Sequence, residues 1–146
     1  MKSILVAVDF SQGTQRVLEC AADQARAFGC PVWVLHVAAP EPDFVPHAAD
    51  PPSMRDQVAA ELRAEHRQVQ ALAAQLTERG LDATPLLVAG PTVEKIGEEA
   101  ASLEAGLVVI GSHGHGLVHR ALLGSVSEGL VRHSEVPLLI VPVRDP

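Results

Sequence analysis

The 146-residue chain predicts an α/β domain built on a mainly parallel sheet. Two observations carry this. Five short apolar runs rich in branched residues recur along the chain, continuous rather than alternating, as strands covered on both faces are. Between them lie longer segments whose apolar residues repeat at helical spacing. The length is that of one ordinary domain, so a single unit over residues 1–146 is expected.

The first strand runs from Ile4 to Val8 and is closed by Asp9. Val17, Leu18, Ala21, Ala22, Ala25 and Phe28 then form a helical stripe, stopped by Gly29 and Pro31. Val32 to Val37 is the second strand. Prolines at 40, 42, 46, 51 and 52 rule out strand and helix from Pro40 to Pro52, leaving a long connecting loop. The next helix spans Met54 to Arg79, with Val58, Leu62, Val69, Leu72 and Leu76 as its apolar stripe and Gly80 as its stop. His66 falls on that stripe and is expected to be buried, as are His36 and Trp33 in the second strand. Pro85 to Val88 is the third strand. Pro91-Thr92 opens a third helix with Val93, Ile96, Ala100 and Leu103 inward, and its acids from Glu94 to Glu104 form a solvated face. Leu107 to Ile110 is the fourth strand, Ser125 to His133 the fourth helix, and Leu138 to Val141 the last apolar run.

Apolar residues make up 47% of the chain but aromatics only 3%, so the core must be built from Val, Leu, Ile and Ala. Eleven basic against eighteen acidic residues leave a charge of −7, which argues against nucleic acid and anionic membranes as partners. Scarce aromatics also argue against a base-stacking platform. No run approaches the ~20 apolar residues of a membrane-spanning helix, and the N-terminus lacks a secretory pattern. Cys20 and Cys30 form no C-x-x-C pair and read as reduced thiols, which places the chain in the cytoplasm.

The densest chemical signal is Gly111-Ser112-His113-Gly114-His115-Gly116, with Gly124-Ser125 following. It leaves a strand and enters a helix, where glycines let backbone approach a ligand and free N–H groups cradle anions. From Gly111 to Ser125 there is no Asp or Glu, while Arg120 and three histidines are present. In an acidic chain this local reversal of sign suits a phosphate. A Walker loop is excluded because Leu117-Val118 stands where Lys-Ser/Thr is required. The glycines run G-x-x-G-x-G, not G-x-G-x-x-G, and the turn after the first strand holds only Gly13, so a dinucleotide fingerprint is excluded too. His113, His115 and His119 are loosely spaced and joined by no thiol or carboxylate, unlike a zinc site.

The spacing that does fit is G-x2-G-x9-G-[ST], from Gly111 and Gly114 to Gly124-Ser125. Together with Ile4–Asp9, the His-Val ending of Val32–Val37, Leu122–Val126 and Val136–Val141, it resembles the ATP-binding branch of the universal stress protein family nearly end to end. The resemblance implies a Rossmann-like open sandwich: a five-stranded parallel sheet of order 3-2-1-4-5 with about four helices on both faces. A ligand crevice should then open between the ends of the first and fourth strands. The resemblance places Ala7, Val8 and Asp9 along the adenosine, the Val37 backbone at the adenine edge, and Ile110 and Gly111 against the nucleoside. Ser112, His113, Gly114, Gly124, Ser125 and Val126 make up its phosphate signature, Gly114, Gly124, Ser125 and Val126 holding phosphate through backbone N–H groups and the Ser125 hydroxyl. It implies ATP, or ADP or AMP, with Mg²⁺, and a homodimer through the C-terminal strand Leu138 to Val143. The expected role is a regulatory module in stress response, with at most slow ATP hydrolysis.

Plainer roles stand beside these. Ser125 and Glu128 read as S-x-x-E, a capping box at the start of the fourth helix. Asp9 suits a turn-closing hydrogen bond. An enzyme acting on ATP would need a base, for which Asp9 and His113 are the candidates, but no nucleophile-elbow G-x-S-x-G is present. A nucleotide-free interaction module is the remaining alternative.

Overall fold

The computed structural model describes residues 1–38, 52–113 and 123–143. The proline-rich loop, Gly114, His115, His119 and Arg120 lie outside the described residues. The elements are β1 (Ile4–Ala7), α1 (Thr14–Phe28), β2 (Val32–Ala38), α2 (Pro52–Glu78), β3 (Ala83–Ala89), α3 (Thr92–Ser102), β4 (Leu107–Gly111), α4 (Ser125–His133) and β5 (Leu138–Val141). The five strands form one sheet in the order β3-β2-β1-β4-β5, and all pairings are parallel.

Successive side chains of a strand point to opposite faces, and each face has its own core. Ile4, Val6, Val32, Val34 and Val109 pack against α1 and α2 through Leu18, Ala21, Ala22, Val69 and Leu76. Leu5, Leu35, Val37, Val108 and Ile110 pack against α3 and α4 through Ile96, Ala100 and Leu130. Trp33 joins this second core as a partly buried member. Coverage on both faces is why the strand sequences are continuous apolar runs. Gly29 ends α1 at φ 62°, where its N–H bonds to the Ala25 carbonyl.

Several boundaries and burials differ from expectation. The sheet pairing of β1 stops at Ala7, and Val8 begins the turn. β3 extends beyond Pro85–Val88 because β2 pairs with it from Ala83 to Ala89; Pro85 is tolerated because β3 is an edge strand. α2 begins at Pro52, proline being suited to the first turn of a helix. At 27 residues α2 is about 40 Å long, whereas a seven-residue strand spans only about 23 Å. Its first half therefore overhangs the sheet: Leu62 is 37% exposed and His66 is exposed, not buried, while Val69, Leu72 and Leu76 are covered. Phe28, in the last turn of α1, is 52% exposed and does not join the core expected of its stripe.

The C-terminal strand is shorter than Leu138–Val143. It ends at Val141. After Pro142 the Val143 N–H turns inward to the Ser112 hydroxyl at 2.9 Å, which takes the chain out of the ladder. Val143 then lies against Gly13 and Gly111, where a Cβ on Gly13 would fall 2.4 Å from its Cγ1.

Candidate functional site

The chain order reverses across β1, with β2 on one side and β4 on the other. Helices entering and leaving on opposite faces cannot fill that divide, so a crevice opens beyond the strand ends. It measures about 590 Å³. One wall is the α3/α4 side, with Ala7, Val37, Thr92, Ile96, Ile110 and Val126. The other is the α1/α2 side, with Phe10, Thr14, Val17, His36, Glu65 and Gln68. Asp9, Gly111, His113, Gly124 and Ser125 lie between them.

The turn from β1 into α1 is built by short polar contacts. The Asp9 carboxylate accepts the Ser11 N–H at 3.0 Å, and the Ser11 carbonyl accepts the Thr14 N–H at 3.1 Å. Phe10 occupies a left-handed backbone conformation, φ 62°, which turns its ring onto His36, with centroids 4.2 Å apart. Gly13 is the N-cap of α1 and supplies no side-chain cap.

On β2, the Val8 N–H bonds to the Leu35 carbonyl at 2.9 Å. Backbone groups two residues apart in a strand share an edge, so the N–H and C=O of Val37 face the same side beyond the end of β1. His36 lies between, its Nδ1 2.8 Å from the Val8 carbonyl. A carbonyl only accepts, so Nδ1 carries the proton.

At the end of β4, Ser112 is a fastening residue. Its N–H donates to the Val141 carbonyl and its carbonyl accepts the Gly124 N–H, both at 2.8 Å. Its hydroxyl accepts the Val143 N–H and contacts His113 Nδ1 at 3.2 Å. Ser127, buried in the first turn of α4, donates its hydroxyl to the Gly111 carbonyl at 2.7 Å. These bonds fix the N-terminus of α4 at the crevice.

The expected capping box is not formed. Gly124, extended at φ −65° and ψ 162°, is the N-cap, with no side-chain cap, and Ser125 is already helical. The Glu128 carboxylate bonds instead to Arg132 at 2.8 Å, one turn down the helix. The first helical bond of α4 is Glu128 N–H to Gly124 carbonyl, so the N–H groups of Ser125, Val126 and Ser127 have no acceptor within the helix. Gly124's own N–H is committed to Ser112; its contribution is shape, not donation.

Of the residues expected at the site, Ala7, Val8, Asp9, Val37, Ile110, Gly111, His113, Gly124, Ser125 and Val126 line the crevice. Ser112 sits behind it, and Gly114 is outside the described residues. Phe10, Thr14, His36, Glu65, Gln68 and Ser127 also line it and were not anticipated. Ser127 had a visible signal, a second serine two residues after Ser125 in the same first turn. Glu65 had none, since its helix is far away in sequence.

The model of Usp, the universal stress protein family, matches residues 1–142. The chain belongs to this family. It is 32% identical over 140 residues to the universal stress protein of the QAH/OAS sulfhydrylase 3′ region in Thermus aquaticus, covering 96% of this chain and 98% of that one. The solved universal stress protein UspA from Lactobacillus plantarum shares the fold, with a TM-score of 0.81 at 20% identity, covering 96% and 97% of the two chains. A universal stress protein from Archaeoglobus fulgidus solved in complex with dAMP has a TM-score of 0.68 at 23% identity, over 96% and 97%. Another, solved in complex with cAMP, has a TM-score of 0.66 at 23% identity, over 97% and 96%. At these identities the likeness to the solved structures is one of fold.

Proposed function

We propose that this chain is an adenine-nucleotide-binding regulatory module that takes ATP, or ADP or AMP, in the crevice at the sheet's switch point. The observation that carries the reading is the α4 N-terminus: three first-turn N–H groups without helical acceptors beside a glycine N-cap, opening on a crevice of about 590 Å³. Such a terminus carries partial positive charge and suits a phosphate chain. Ser125 adds a hydroxyl. Family members of the same fold have been solved with dAMP and cAMP, which supports an adenine nucleotide as the guest.

The base rests on the aliphatic wall of Ala7, Val37, Ile96 and Ile110, its edge toward the Val37 backbone, since that edge faces the gap beyond β1. Gly111, Gly124, Ser125 and Val126 take the sugar and phosphates, with His113 beside them. Gly114 completes the signature. When bound with the nucleotide, Mg²⁺ would supply charge neutralisation to the phosphates. Asp9, at the end of β1, is a carboxylate lining the crevice, and an ion that keeps most of its waters needs few protein ligands. The Asp9 carboxylate is tied to its own turn by the Ser11 N–H, which fits a module in which hydrolysis is at most slow.

The module works in the cytoplasm as a homodimer paired through the exposed edge of β5. Among the described residues no helix is long and apolar enough to cross a membrane. Titration calorimetry of the purified chain with ATP and Mg²⁺ tests the reading. Saturable one-site binding is expected. Absence of heat and of competition by ADP at millimolar nucleotide overturns it.

A further inference from the structure

Val143 stands where two bare glycines leave room for a guest. A Cβ on Gly13 would fall 2.4 Å from Val143 Cγ1 and 2.7 Å from its Cγ2, and one on Gly111 would fall 3.1 Å from Cγ2. Neither position needs glycine for its backbone. Gly13 lies at φ −78° and ψ −7°, and left-handed glycines among the described residues are confined to Gly29, Gly80 and Gly90. What Gly13 and Gly111 share is therefore space. Glycine at the end of β4 leaves room for close approach of a ligand, and here a side chain of the same chain takes that room.

Val143 borders the crevice together with Gly13 and Gly111. It is held lightly. Its N–H bonds to the Ser112 hydroxyl at 2.9 Å, and its side chain is only part-buried. Pro142 before it is exposed, and pairing of β5 with β4 ends at Val141 opposite Gly111. Val143 can thus leave its seat without breaking a hydrogen bond of the sheet. One neutral hydrogen bond and a part-buried valine favour the seated form by a factor of about ten to a hundred. A ligand that binds better with the seat open lifts Val143 out by outweighing that factor.

We propose that Val143 is a strap across the crevice, seated on Gly13 and Gly111 in the absence of nucleotide and displaced when a nucleotide draws against Gly111. This rests on the nucleotide reading of the crevice. The strap lowers the apparent affinity by its own seating equilibrium and makes the position of the chain after β5 depend on what the crevice holds.

Two measurements with ATP and Mg²⁺ test the strap. Calorimetry compares the parent chain with Val143→Ala, in which trimming the two methyls should tighten ATP binding about three- to tenfold. Amide exchange followed by NMR on the parent chain needs no variant, so it stands even where Val143→Ala loses stability. Saturating ATP should speed exchange of the Val143 N–H about tenfold or more. The Ser112 N–H, bonded to the Val141 carbonyl, should keep its protection, which separates release of Val143 from opening of β5. ATP binding by Val143→Ala where the parent shows none would also support the strap. A fixed wall on which the nucleotide leans gives the opposite signs. Weaker or unchanged binding by Val143→Ala, or a Val143 N–H that ATP slows or leaves unchanged, overturns the proposal while the nucleotide reading stands. If neither protein binds ATP, both fall.

Discussion

The Ser127 hydroxyl donates to the Gly111 carbonyl at 2.7 Å, joining the first turn of α4 to the last residue of β4. The two elements that border the crevice are thus held at one fixed separation by a buried side chain. Ser127→Ala leaves that carbonyl without its side-chain donor. It should cost about 1–2 kcal/mol of stability, read as a lower midpoint in urea, and should weaken ATP binding through the displaced helix end.

Gly124→Ala acts at the same place by crowding. A Cβ there would lie 3.0 Å from the His113 Cα, a backbone atom that cannot swing away. The fold should survive, with an overpacking cost of about 1–3 kcal/mol. ATP affinity should fall about tenfold or more, because the α4 N-terminus is pushed off the β4 end. Circular dichroism and calorimetry together separate the two effects.

Gly13 and Val143 should prove to be an energetic pair. A Cβ on Gly13 would sit 2.4 Å from one Val143 methyl, yet the Gly13 backbone, at φ −78°, accepts any residue. Gly13→Ala alone should destabilise by about 1–3 kcal/mol through overpacking. Combined with Val143→Ala it should recover most of that loss. A double-mutant cycle in urea gives the coupling directly, and additive losses would show that the tail does not pack as described.

The proposed homodimer makes a specific demand on β5. Val108 N–H bonds to the Pro137 carbonyl and Ser112 N–H to the Val141 carbonyl, so those residues face β4. By alternation, Leu138 and Ile140 present their backbone to the open edge. Light scattering should give twice the chain mass at micromolar concentration. Ile140→Pro removes an outward N–H without touching the β4 ladder and should return a monomer.

Fold and site were legible to different depths. The sheet could be read because each strand carries apolar side chains to two separate cores, Ile4 and Val6 to one and Leu5 to the other. The glycine-rich end of β4 stood out because close backbone approach to a ligand restricts residue type, and Gly111, His113 and Gly124 do line the crevice. Ser125 was assigned as a cap by its spacing to Glu128, but the N-cap fell one residue earlier, on Gly124, and Arg132 drew the glutamate down the helix. His66 and Leu62 followed a periodicity that held along α2 even where the sheet beneath had ended. Periodicity reports the face a helix would bury, not whether anything lies under it. Glu65 was invisible because only the fold brings it to the crevice, 3.6 Å from His36, a residue 29 positions away.

The inward turn of Val143 has a practical side. The chain passes this residue at the lip of the crevice, against Gly13 and Gly111, so the C-terminal end of the described chain is a vantage point on the site rather than a remote handle. A small fluorophore attached at Val143→Cys would sense filling of the crevice through its own surroundings. Of the native thiols, Cys30 is buried and Cys20 only partly accessible, which favours selective labelling. Conversely, a bulky tag joined there would crowd the doorway, and assays of ligand capture are better served by a fusion at Met1, which packs against Gly106 at the amino ends of the strands.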